Sequence, residues 1–195
     1  MPWWLKEIFA SFRFLTISGS QGFWYSKRIY ELVLPLFFAV GIVLVSEFYP
    51  NAFSPKLLKD ISQNTFQFLV FVVPFHLAAL GAFATFERPI LDEKLKGTNS
   101  QIRVWSNEDQ DYYYKALTLR QYVSLLFGYL CSIGIIYTIF YILFSAINFS
   151  YIFSNHYEWF LLISKFAIFF AISHYGFLSI YAITFLFDKV NGIPR

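Results

Sequence analysis

Two histidines lie inside apolar runs, where an ionisable group needs a physical reason. His76 sits in FVVPFHLAAL (71–80), two residues after Pro74, and His174 sits in FFAISHYGFL (169–178). A neutral imidazole needs one donor and one acceptor satisfied, and the hydroxyls of Tyr129, Tyr137, Tyr175 and Tyr181 can supply them as part of fixed packing. The sharper alternative is a proton-sensitive or gating layer, in which a histidine titrating near neutral pH changes the packing of an oligomer. His76 stands about 10 residues from Phe86 and His174 about 13 from Phe187, a depth difference of roughly 5 Å by helical rise, so the two rings can share a layer. Pro74 removes a backbone donor and frees the carbonyl of Val70, which predicts a kink that aims His76.

The remaining ionisable groups point to anchoring. Glu31 follows Lys27 and Arg28 by four and three residues on one helix face, the spacing of a local ion pair. Lys165 lies near the outer end of an apolar block, where its stem can snorkel to water. His156 and Glu158 are two metal-ligand types with no others nearby, too few for a site. No phosphate-cradling glycine loop, nucleophile elbow or zinc-binding helix pair is present, so no catalytic residue, cofactor or metal is expected and the chain reads as a non-enzyme. Basic and acidic residues alternate in the polar stretches, which argues against nucleic acid as a direct partner.

What must position these groups is legible in composition. Hydrophobic residues make up 57% of the 195, and charged residues only 14%, against about 25% in a soluble domain. Four apolar blocks, 29–49, 65–86, 121–146 and 159–187, each supply the ~20 helical residues that a bilayer core requires. The expected fold is an all-α integral membrane protein, a single four-transmembrane-helix bundle whose short connectors make neighbours antiparallel. Twelve of the fifteen Lys and Arg residues flank these blocks on one side, so both termini and the 88–120 loop are expected in the cytoplasm. The first twenty residues lack a basic flank, apolar core and cleavage site, so no removable signal peptide is expected and the mature chain is expected to begin at Met1. The lone cysteine, Cys131, excludes a disulfide framework.

Outside the spans, Trp4, Leu5, Ile8, Phe9, Phe12 and Leu15 recur at three-to-four spacing opposite Lys6 and Arg13. That pattern predicts an interfacial amphipathic helix over 2–17, with SGSQG (18–22) and Gly22 as its flexible exit. In the loop, Pro89 opens a short helix that Gly97 closes, QIRVW forms a strand or extended contact, and Ser106 caps a helix running through DYYYKALTLRQ into the third span. Trp105, Glu108, Asp109, Asp111, Tyr112, Tyr113 and Tyr114 have the composition of a partner-binding surface, or of an aromatic belt at the headgroups. Small residues mark expected helix-packing seams: Ala78 and Ala82; Ser124, Gly128 and Ser132; Ala167 and Ala171.

The function expected from these features is a polytopic scaffold or sensor subunit that self-associates in the bilayer and holds a cytosolic protein partner through its 88–120 loop. The alternative is an oligomeric pore-forming or membrane-disrupting effector, and a weaker one is a small transporter, disfavoured by the absence of an internal repeat. Abundant Phe, Ile, Tyr, Lys and Asn suggest an AT-rich accessory bacterial gene. The expected setting is therefore a bacterial inner membrane and, as context, a phage-defence operon.

Overall fold

The computed structural model describes residues 3–17, 26–54, 56–95, 100–106, 108–153 and 156–190. The expected exit at 18–22 and the helix closure at Gly97 lie outside them.

Four helices are long and apolar enough to cross a membrane. The first is α2 (Leu34–Phe48), entered through a π-helical turn at Ile29–Val33; the others are α3 (Leu57–Thr85), α5 (Leu119–Ser145) and α7 (Tyr157–Val190). Short helices complete the chain: α1 (Trp3–Ile8), α4 (Pro89–Asp92) and α6 (Phe149–Ile152). The long helices pack in two pairs, α3 with α5 and α2 with α7, and α5 against α7 joins the pairs. Helix α3 runs through the exposed Pro74 and begins eight residues before the expected boundary. Leu57 and Ile61 explain the extension, because they pack against Ala39, Val43 and Phe169 and bury an apolar stripe that the intervening Lys59 and Asp60 obscure in the sequence.

Gly134 faces both α3 and α7 where there is no room for a side chain. A Cβ there would clash with Val73 of α3 and come within 3.0 Å of the Tyr175 hydroxyl of α7. Gly128, by contrast, faces Ser11 of the N-terminal segment, with ordinary contact at 3.8 Å.

Two segments differ from the sequence-based expectation. The chain from 101 to 116 is a β-hairpin and not the start of a helix, while the rest of the described structure is mostly helical, consistent with the expected all-α membrane class. Strand β1 (Gln101–Ser106) pairs antiparallel with β2 (Asp111–Ala116), Trp105 opposite Tyr112 and Arg103 opposite Tyr114. Ile, Val, Trp and Tyr favour a pleated surface over a helix. Ser106 still makes a local turn, its hydroxyl accepting from the Asp109 amide, but that turn joins strands, with Gln110 in the left-handed region at φ 50°. The true start of α5 is Thr118, whose side chain accepts from the Gln121 amide while Gln121 reaches back to the Thr118 amide, a capping box spelled TLRQ.

The second difference is the N-terminus. It is not one surface helix: α1 ends at Ile8 and a 3-10 helix covers Ala10–Thr16. Phe14 and Ile17 enter the main core against α5, and the Ser11 hydroxyl donates to that of Ser132 at 2.8 Å. Phe14, apolar on the face that the expected helix would give to water, is fully buried.

Candidate functional site

The groups with chemistry gather in the half of the bundle nearest the hairpin. Their placement begins with Pro35. Having no N–H, it cannot bond to the carbonyl four residues back, which belongs to Glu31 in the π-helical turn. The Nδ1 atom of His174 lies 2.6 Å from that carbonyl oxygen. A carbonyl only accepts, so Nδ1 carries the proton and the neutral ring's Nε2 is an acceptor, which the Tyr129 hydroxyl fills at 2.8 Å. One imidazole thus joins α2, α5 and α7 with both nitrogens satisfied. The Ser173 hydroxyl lies 3.1 Å from the Pro35 carbonyl and 2.6 Å from that of Phe169, adding a second tie at the same level.

The Glu31 side chain is only 2% exposed, and the Lys27 ammonium meets it at 2.6 Å. Lys27 also donates to the Phe14 carbonyl at 2.6 Å and stands 4.0 Å over the Phe14 ring. The N-terminal segment is therefore a wall of this cluster. Burial depresses the Lys27 ammonium below its ordinary range, and the Glu31 carboxylate counters that shift. Nearby, Tyr30 stacks on Tyr181, and the Tyr122 and Tyr181 hydroxyls meet at 2.8 Å.

His76 is separate. It is fully buried against Phe127, with Nδ1 3.0 Å from the Tyr175 hydroxyl, while Nε2 has no hydrogen-bond partner among the described residues. His174 and Tyr175 are consecutive on α7 and point about 100° apart, so His174 faces Glu31 and Tyr129 while Tyr175 faces His76 of α3. The rings make no direct contact with each other.

Positions singled out for small size have varied surroundings. Gly128 and Ser132 face Ser11, Ala78 and Ala167 are exposed, Ala82 and Ser124 are half-buried, and Ala171 lines a crevice between the helix pairs. Lys165 reaches Glu47 at 2.6 Å.

The hairpin has two faces. Ile102 is buried in the main core and Val104 packs against that core. Arg103, Trp105, Tyr112 and Tyr114 stand on the opposite, exposed face, with Trp105 edge-on to Tyr112 at 4.8 Å and the Arg103 guanidinium 4.0 Å over the Tyr112 ring. Glu108, Asp109 and Asp111 are exposed at the turn and Tyr113 is exposed on the Val104 side. The loop is tied to α5 at its base: Arg120 grips Asp92 through two nitrogens at 2.8 and 3.1 Å and donates to the Phe83 carbonyl at 2.9 Å. That guanidinium hydrogen bond holds the Asp92 carboxyl below its ordinary range.

Pro35 is a residue that sequence reasoning passed over, whereas the Lys27–Glu31 pair was expected and only its burial was not. The signal for Pro35 was present, because a proline four residues after an intramembrane Glu frees that residue's carbonyl. Among the described residues, no three His, Cys, Asp or Glu side chains come together as a metal site would require.

These features define a helical membrane protein with a buried polar cluster and an aromatic hairpin at one end. The chain matches no protein-family model, no curated protein and no solved structure.

Proposed function

We propose that this chain is a non-enzymatic membrane scaffold or sensor subunit that presents its hairpin to a soluble protein partner. The observation that carries the reading is the outward face of Arg103, Trp105, Tyr112 and Tyr114. Aromatic and Arg side chains of this kind dominate binding energy at protein interfaces, and here they are braced against one another before any partner arrives. The inward face rests on the same core as Phe14 and Ile17, so force on the hairpin reaches the segment that walls the Lys27–Glu31 pair. That continuity favours a sensor over a passive anchor.

The asymmetry of Lys and Arg supports placing the hairpin and both termini in the cytoplasm of a bacterial inner membrane. Arg120, Lys27 and Arg28 cluster at that end of the bundle, as an inner boundary would have them. Self-association through the exposed faces of the spans completes the proposal, and a phage-defence pair is its proposed setting. The alternative pore would need its polar groups between subunits. His76, His174 and Glu31 are instead enclosed within one chain, which favours the scaffold.

Affinity purification in mild detergent tests the reading, comparing wild type with the double variant Trp105→Ala, Tyr112→Ala. One discrete protein should copurify with the wild type and disappear with the variant, while Phe37→Ala on an exposed span face leaves it. Recovery of the chain alone in every case overturns the proposal. A membrane-potential dye separates the pore, since a scaffold leaves the potential intact on induction.

A further inference from the structure

Between the two helix pairs lies a crevice of about 380 Å³. Helix α2 contributes Phe38 and Ile42, α3 contributes Asn64, Thr65 and Phe68, and α7 contributes Ala171 and Ile172. Tyr137 and Tyr175 also line it, Tyr175 with its hydroxyl engaged by His76. Leu57 and Ile61 pack with the Ala39–Val43–Phe169 cluster at the end of α3 away from the hairpin, and Ile61 and Phe169 also line the crevice.

We infer that this crevice is a binding site for one hydrocarbon chain of a bilayer phospholipid. Every lining helix is one of the four long and apolar enough to cross a membrane, so with the bundle placed in a bilayer the crevice lies among lipid chains. Apolar cavities of this kind stay dry and take apolar guests, and filling the space restores the dispersion contacts that its walls otherwise lack. The volume exceeds about 150 Å³, the size of an apolar cavity already known to accept a benzene ring. Lys56 and Lys59, both exposed, lie at the start of α3, beyond the packed end of the crevice. They provide positive charge for the phosphate of a lipid whose chain descends between α2 and α3. An occupant here holds the two pairs at a fixed separation, at the level where Tyr175 meets His76 and Gly134 brings α5 to α3.

The inference rests on the membrane placement of the bundle and not on the hairpin, so the copurification experiment and the following one fail independently. The protein is reconstituted in vesicles of phosphatidylethanolamine and phosphatidylglycerol that carry a phospholipid with a photoreactive diazirine in its acyl chain. After irradiation the labelled residues are mapped by mass spectrometry. Labelling should concentrate on Phe38, Ile42 and Ile172, above that of the outward Phe71 and Ile180. Ala171→Phe fills the crevice and should lose that labelling, whereas Ala167→Phe, one turn away on an exposed site, should keep it. Ala171→Leu serves as a milder filling if the Phe variant does not fold. Uniform labelling over exposed and crevice residues, or labelling that a folded filling variant leaves unchanged, overturns the inference.

Discussion

At the scale of single residues, the account turns on Lys27, Glu31 and His174. Glu31→Ala leaves an ammonium alone inside the bundle and should cost about 3–5 kcal/mol, whereas Lys27→Met with Glu31→Leu removes both charges and should cost far less. Thermal unfolding in mild detergent distinguishes them, and equal losses contradict the buried pair. Because burial lowers the folded-state Lys27 value below the unfolded one, the unfolded chain binds more protons between the two. The penalty in Glu31→Ala should therefore be largest below the folded value and shrink as pH rises through it. His174 should show a protonated Nδ1 and a bare Nε2 in nitrogen NMR, and Tyr129→Phe should perturb Nε2 while leaving Nδ1–H on the Glu31 carbonyl. The sequence made both histidines legible as buried polar groups, and Tyr129 and Tyr175 were among the hydroxyls it offered. Which tyrosine serves which ring depends on helix rotation, and local spacing does not encode that. The depth of Glu31 was hidden because its i−4 partner gives it the spacing of an ordinary surface pair.

At the scale of elements, close packing and turn chemistry make separable predictions. Gly134→Ala forces Val73 and Tyr175 to move and should destabilise by about 1–3 kcal/mol, while Gly128→Ala meets only an ordinary contact and should be tolerated. Comparable unfolding temperatures for the two would contradict the α3–α5 approach. The Asp92–Arg120 clamp is a pH-dependent tie. With its folded-state value depressed, Asp92 contributes stability above the ordinary carboxylate range, and that contribution disappears as pH falls through the folded value. Hydrogen-exchange protection at 88–95, corrected for the intrinsic pH dependence of exchange, should fall in acid for the wild type and be low at all pH in Asp92→Asn. The hairpin was poorly legible for a specific reason. Tyr112, Tyr113 and Tyr114 put aromatics on both faces of one strand, which erases the alternation that would announce it, and the acidic turn after Ser106 imitates a helix start. The capping box at Thr118 to Gln121 was the contrary signal, fixing where α5 begins.

At the scale of the whole molecule, the four long helices were readable from hydropathy because a bilayer core imposes a length that no local propensity disguises. Their pairing was not, since in lipid it depends on packing at a few contacts such as Gly134 and not on apolar character. The N-terminal segment shows the same limit, because its periodicity describes an amphipathic helix while Ser11, Phe14 and Ile17 use it as an inserted wall. Hairpin, wall and buried ion pair form one continuous structure, and the central claim is that its exposed aromatic face receives a protein. Replacing Trp105 or Tyr112 with a photoreactive amino acid in living cells tests that most directly, with Phe37 as an exposed span control. The account predicts one discrete protein adduct from both hairpin positions and none from Phe37. Adducts with lipid alone at Trp105 and Tyr112 would make the face a membrane belt and contradict it.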